Sequence, residues 1–169
     1  DREYTLRSHV ENLESLVNEL NLTDITFVGQ DWGGPITGAF TARNPEKVQR
    51  LFLMNTVLGY GGGQASGGKT PWFQWIEKHA NNGTLEGILG EMGSTVLSVM
   101  KIIGFQNSSG VSDTWIRAYS APFPDRASCI GASNFPLAIH EGRFFPFVRE
   151  TLEQGDIEAM RRKPAMLVS

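Results

Sequence analysis

The segment Ile25-Thr26-Phe27-Val28-Gly29-Gln30-Asp31-Trp32-Gly33-Gly34 runs an apolar strand straight into a turn framed by glycines. The pattern resumes as a helix from Ile36 to Arg43. Asn44-Pro45 stops it, because the residue before a proline is pushed out of the helical region. Val48 to Asn55 is a second, nearly continuous apolar strand. Leu6, Val10, Leu13, Leu16, Val17 and Leu20 recur at helical spacing ahead of the first strand. Helix, strand, turn, helix and strand in this order imply parallel strands joined by crossover helices. The predicted core is an α/β layer whose sheet is covered on both faces.

After Asn55 the texture changes. A glycine-rich loop, Gly59 to Gly68, leads to segments that read as helices around 71–80, 85–103, 112–120 and 143–160. No convincing strand appears before Ala165-Met166-Leu167-Val168-Ser169, which reads as buried. An insertion of this size exceeds an ordinary loop. The predicted organisation is a partial α/β core over 1–56, a helical cap over 57–163, and the start of a returning core strand over 164–169. The first residues pass almost at once into a helix without an initiator methionine, and the last strand stops where its loop should begin. The core is expected to be incomplete at both ends.

The 15 lysines and arginines and 18 aspartates and glutamates are scattered, for a formal net charge of −3. This argues against a nucleic-acid footprint and a polybasic membrane patch. No apolar run approaches the ~20 residues that span a bilayer. The single cysteine, Cys129, cannot close an internal disulfide, which fits a reducing cytoplasm.

Chemistry concentrates at the turn. Small residues two before and two after Asp31 permit a strained corner that presents its carboxylate above the end of a parallel sheet, where ligands bind in such folds. The N-terminus of the following helix favours an anion there. An aspartate of ordinary pKa, about 3.9, is ionised at neutral pH and attacks without a base. Its attack on an sp³ carbon gives an ester, so a base is needed only for hydrolysis. That suits alkyl halides or epoxides better than peptides. The alternative is that Asp31 only caps the helix, as aspartate often does.

Val28-Gly29-Gln30-Asp31-Trp32-Gly33-Gly34-Pro35 resembles the nucleophile segment of haloalkane dehalogenases and epoxide hydrolases in the α/β-hydrolase superfamily. Asn44-Pro45 and Arg50 to Asn55 resemble the helix end and strand that follow it, and Ala118 to Asp125 a dehalogenase cap stretch. The resemblance implies an α/β-hydrolase core with an inserted helical cap. It implies hydrolytic dehalogenation of small haloalkanes through an Asp31 alkyl ester. Trp32 would bind the halide through its indole N–H and join an oxyanion hole through its backbone N–H. Trp75 would be the second halide donor, with Trp72 as the alternative, and Phe135 and Pro136 would line an apolar cavity. Substrate, water and halide ion are the implied partners, and no metal or organic cofactor is implied.

The family also needs a base histidine and a second carboxylate. Asn55-Thr56-Val57 offers no acid after the second strand. His9, His79 and His140 all precede the place where the catalytic histidine would stand, and read as structural or surface. The 169 residues alone are therefore expected not to turn over. Epoxide hydrolysis is the enzymatic alternative, with Tyr60 and Tyr119 as candidate acids. Gln30, where epoxide hydrolases usually carry histidine, favours dehalogenation. A non-catalytic ligand-binding module is the third reading. Gly63 to Thr70 formally matches a phosphate-binding loop, but no buried strand precedes it and Pro71 follows at once, so it reads as a flexible entry to the cap.

Overall fold

The computed structural model describes residues 4–60, 70–85, 87–88, 111–125 and 127–168. In chain order these form α1 (Leu6–Glu19), β1 (Ile25–Gln30), α2 (Gly33–Arg43), β2 (Val48–Met54), α3 (Pro71–Asn81), α4 (Asp113–Ser120), α5 (Ile130–His140), α6 (Phe145–Gln154), α7 (Ile157–Arg161) and β3 (Ala165–Val168). The formal phosphate-loop match over 63–70, read as an entry to the cap, and the expected helix over 85–103 lie largely outside the described residues. Two compact units are present: Asp1–Gln64 with Arg143–Ser169, and Ala65–Gly142.

In the first unit the sheet has the order β1-β2-β3, with both pairings parallel. Gln30 pairs with Met54 and Met54 with Val168, so the three strands end level. Capping fixes where α1 starts: the Thr5 hydroxyl accepts from the Ser8 amide at 3.1 Å, and the Thr5 amide donates back to Ser8 Oγ at 3.0 Å. Val17 of α1 and Phe40 of α2 pack on Val48, Leu51 and Leu53 of β2, with Phe27 set edge-on to Phe40 at 5.2 Å. A second cluster joins Leu6, Val10, Ala39, Ala42, Tyr60, Phe147 and Met160.

Several expectations differ from this arrangement. Among the described residues the sheet is covered on one face only. Alternation in β1 turns Ile25, Phe27 and Gly29 inward and leaves Val28 63% exposed on the other side. Ala165–Val168 does form a strand parallel to β2, yet all four residues are exposed because β3 is the sheet edge. Leu16 and Leu20 are exposed, since the buried stripe of α1 follows Leu6, Val10 and Val17 and they lie beside it. The expected helix over 143–160 is two helices, broken at Gly155-Asp156. Both belong to the compact unit that contains the sheet, where Phe147 and Met160 are buried.

In the second unit, α3 begins with Thr70 accepting from the Phe73 amide and with Pro71 at a first-turn position, where its missing N–H has no cost. Ile76 and Leu85 are buried there with Trp72, Trp75 and Leu137 around them. Helix α5 has no counterpart in the sequence expectation. Pro136 lies inside it, and an interior proline ordinarily argues against a helix.

Three helices of the first unit are tied by charge. Arg7 of α1 makes a two-pronged pair with Glu150 of α6, with Nη1 to Oε1 at 3.1 Å. Arg43 of α2 pairs with Glu14 at 2.7 Å, and the Arg7 and Arg43 guanidinium groups lie 4.8 and 5.7 Å from the Phe147 ring centre. The hydrogen bond from Arg7 holds the Glu150 carboxyl below the usual carboxylate range. A depressed folded pKa contributes stability above the unfolded value, about 4.3, that is lost as pH falls toward the folded value. Glu150→Gln should therefore lower Tm near neutrality, and the gap to wild type should narrow as pH falls below the ordinary carboxylate range. A gap independent of pH across a thermal-melt series would contradict this.

Candidate active site

Asp31 stands at the end of β1 with φ of 52°, in the left-handed region that aspartate enters more readily than most residues. Three hydrogen bonds hold it there. The Trp32 amide donates to Asp31 Oδ2 at 2.9 Å, the Gly34 amide donates to the Asp31 carbonyl at 3.1 Å, and the Thr56 hydroxyl donates to that same carbonyl. Oδ1 accepts no hydrogen bond among the described residues, and the side chain is exposed. This is not the usual cap, in which the aspartate oxygen takes an amide two or three positions into the helix. Helix α2 instead begins after Trp32, without a side-chain cap.

The glycines have separate duties. A Cβ on Gly29 would lie 2.9 Å from the Gly33 carbonyl oxygen, so the turn closes only without one. A Cβ on Gly34 would run into Thr56 and the Val57 carbonyl, whereas one on Gly33 would meet nothing within 4 Å. Gly34→Ala should cost about 1–3 kcal/mol through overpacking. Gly33→Ala should stay within about 0.5 kcal/mol. Denaturant titration reads both, and equal effects would contradict this account of the turn.

The other predicted residues fall in both units. Trp32 follows Asp31, and its ring meets Phe144 edge-on at 6.4 Å, a partner that no motif announced. Trp75 lies on α3 between Trp72, stacked at 5.8 Å, and His79, whose ring centre is 4.4 Å away. His79 Nδ1 is 2.9 Å from the Thr84 hydroxyl. Trp75 also belongs to the second unit's apolar cluster, and its indole N–H has no acceptor among the described residues. Phe135 and Pro136 lie on α5, the first partly buried and the second buried. Tyr60 is 1% exposed in the first unit's core, and burial pushes its ionisation upward. Tyr119 is exposed on α4 against Trp115.

Among the described residues, no histidine and no second carboxylate hydrogen-bonds Asp31. Nor do three or more His, Cys, Asp or Glu side chains gather as a metal site. No helix among them is long and apolar enough to cross a membrane. An open recess beside Asp24, Glu46, Arg162 and Lys163 lies at the start of the strands, the end of the sheet opposite Asp31.

The alpha/beta-hydrolase-fold profile matches residues 1–80. A haloalkane dehalogenase of Psychrobacter cryohalolentis is 31% identical over 137 residues, 81% of this chain and 40% of the relative. A cis-3-alkyl-4-alkyloxetan-2-one decarboxylase of Shewanella oneidensis is 32% identical over 135 residues, 79% of this chain and 40% of the relative. The crystal structure of the haloalkane dehalogenase DatA from Agrobacterium tumefaciens matches with a TM-score of 0.73 at 18% identity, over 100% of this chain and 57% of that one. The chain has the alpha/beta-hydrolase fold and is similar to haloalkane dehalogenases over most of its length. In an alpha/beta hydrolase, a strand, a glycine-framed sharp turn and a helix form the nucleophile elbow, and β1, the turn at Asp31 and α2 have that strand–turn–helix form. The chain spans 40% of the length of these two curated relatives.

Proposed function

We propose that the protein hydrolyses carbon–halogen bonds of small haloalkanes, with Asp31 as the nucleophile. The observation that carries the reading is the state of its carboxylate: Oδ2 is held by the Trp32 amide, while Oδ1, on an exposed side chain, accepts no hydrogen bond among the described residues. Oδ1 attacks the carbon, its electron pair forms the C–O bond, and the halide departs with the electrons of the C–X bond. Water then adds to the ester carbonyl. The charge that develops on Oδ2 faces the Trp32 N–H, which is the donor an oxyanion needs. Collapse returns the Asp31 carboxylate and releases the alcohol, with a base taking the proton from water. That base is not among the described residues that hydrogen-bond Asp31.

The halide-binding assignments rest on the resemblance: an indole N–H is a donor only, suited to an anion. Trp32 is the first donor and Trp75 the second, and Phe135 and Pro136 are the apolar lining. Haloalkanes have little to hydrogen-bond, so an apolar site suits them. Epoxide opening needs an accessible tyrosine acid. The burial of Tyr60 leaves Tyr119 as the exposed one of the two candidates.

In the full-length protein, Asp31→Asn should abolish multiple-turnover halide release from 1-bromobutane. Retained release would remove Asp31 from the role. A panel of bromoalkanes, an epoxide and a cis-dialkyl-oxetanone, scored for halide, diol and carbon dioxide, separates the dehalogenase from the two other chemistries. Binding without any product would favour a ligand-binding module.

Bromide quenching of tryptophan fluorescence should weaken by about tenfold in apparent affinity in Trp75→Phe, the loss of one anion hydrogen bond in a shielded site. Unchanged quenching would place the second donor elsewhere.

A further inference from the structure

We propose that Thr56 is a positioning residue for the nucleophile, acting through the backbone of Asp31; this rests on Asp31 attacking the substrate. The geometry begins at the level ends of the strands. Gln30 pairs with Met54, so the residues that leave β1 and β2 emerge side by side. Asn55, like Asp31, has a positive φ, 43°, and its amide donates to the Val168 carbonyl of β3 at 2.8 Å. The left-handed turn there anchors Asn55 to the third strand, and Thr56 follows directly.

From that place the Thr56 hydroxyl donates to the Asp31 carbonyl and also lies 3.3 Å from the Val57 carbonyl oxygen. A Cβ on Gly34 would collide with both the hydroxyl and the methyl of Thr56, so the threonine fills the space that glycine leaves. A left-handed residue other than glycine persists only when its surroundings over-determine it. Besides the Gly34 amide, which belongs to the same turn, Thr56 is the donor to that carbonyl and the contact that arrives from another strand. If the hydroxyl is lost, the peptide plane after Asp31 can rotate. The carboxylate, fixed through the Trp32 amide, would rotate with it. A small misplacement of an attacking atom slows the chemical step without changing what binds.

The test is the single-turnover alkylation of Asp31 in the full-length protein by 1-bromobutane, followed as the mass of the peptide that contains it. Thr56→Val keeps the shape and removes the donor. It should slow ester formation by about tenfold. The decay of ester already formed and the apparent affinity for bromide should stay unchanged, and Tm should stay within about 2 °C. Thr56→Ser should restore the rate to within about twofold of wild type. Should Thr56→Val fail to fold, Thr56→Ala carries the same expectation. A wild-type alkylation rate in the variant that lacks the hydroxyl overturns the proposal. So does a slow rate that returns to wild type once corrected for the folded fraction. Turnover retained by Asp31→Asn overturns the underlying reading of the reaction, whereas an inert Asp31→Asn beside a normal Thr56→Val overturns only the role of Thr56.

Discussion

Parallel pairing of Ile25–Gln30 with Val48–Met54 sets the terms for everything around Asp31. Strands that run the same way end at the same edge, and each must turn away there without a hairpin to close it. The first turns into α2 through a left-handed Asp31, and the second leaves through a left-handed Asn55. The helix that begins at Gly33 then lies back along the sheet, where Phe40 meets Phe27 and Leu53. The corner at Asp31 is thus the meeting point of a backbone constraint and a packing constraint. The glycines at 29 and 34 are what allow both to be satisfied.

Much of this was legible in the residues. The apolar run that begins at Ile25, the glycines around Asp31 and the proline at 45 each carry a local signal strong enough to fix an element. The partners of the site were less legible. Thr56 is an ordinary threonine in a loop, and its importance comes from the register of β1 on β2, which no local pattern encodes. Phe144 meets Trp32 from more than a hundred residues away in sequence. Helix α5 escaped for the opposite reason: Pro136 gives a strong local signal against a helix, and packing overrides it. The exposed β3 reads as buried because four apolar residues in a row look alike at an edge and in the centre of a sheet.

The first unit's core is held from both sides of α2. On one side it faces the sheet, and on the other it faces α6 and α7 through Ala42, Phe147 and Met160. The Arg7, Glu150, Arg43 and Glu14 side chains tie the same three helices α1, α2 and α6 together. Partly exposed ion pairs of this kind add little individually, and geometry rather than number gives this group its effect. Its consequence for the site is indirect but physical. A firm α2 keeps the Trp32 amide, at its start, aimed at one carboxylate oxygen.

Among the described residues one Asp31 oxygen is held and the other accepts no hydrogen bond, a division of labour that suits a two-step substitution. In the proposed reaction Oδ1 would form the bond to carbon, and Oδ2 would carry charge when water attacks the ester. Single turnover in ¹⁸O-labelled water tests this most directly. If Asp31 is the nucleophile, the first alcohol released carries the ordinary oxygen isotope and the label appears in the Asp31 carboxylate. Alcohol that carries the label from the first turnover, with Asp31 unlabelled, would mean that water attacks the substrate directly and would contradict the account.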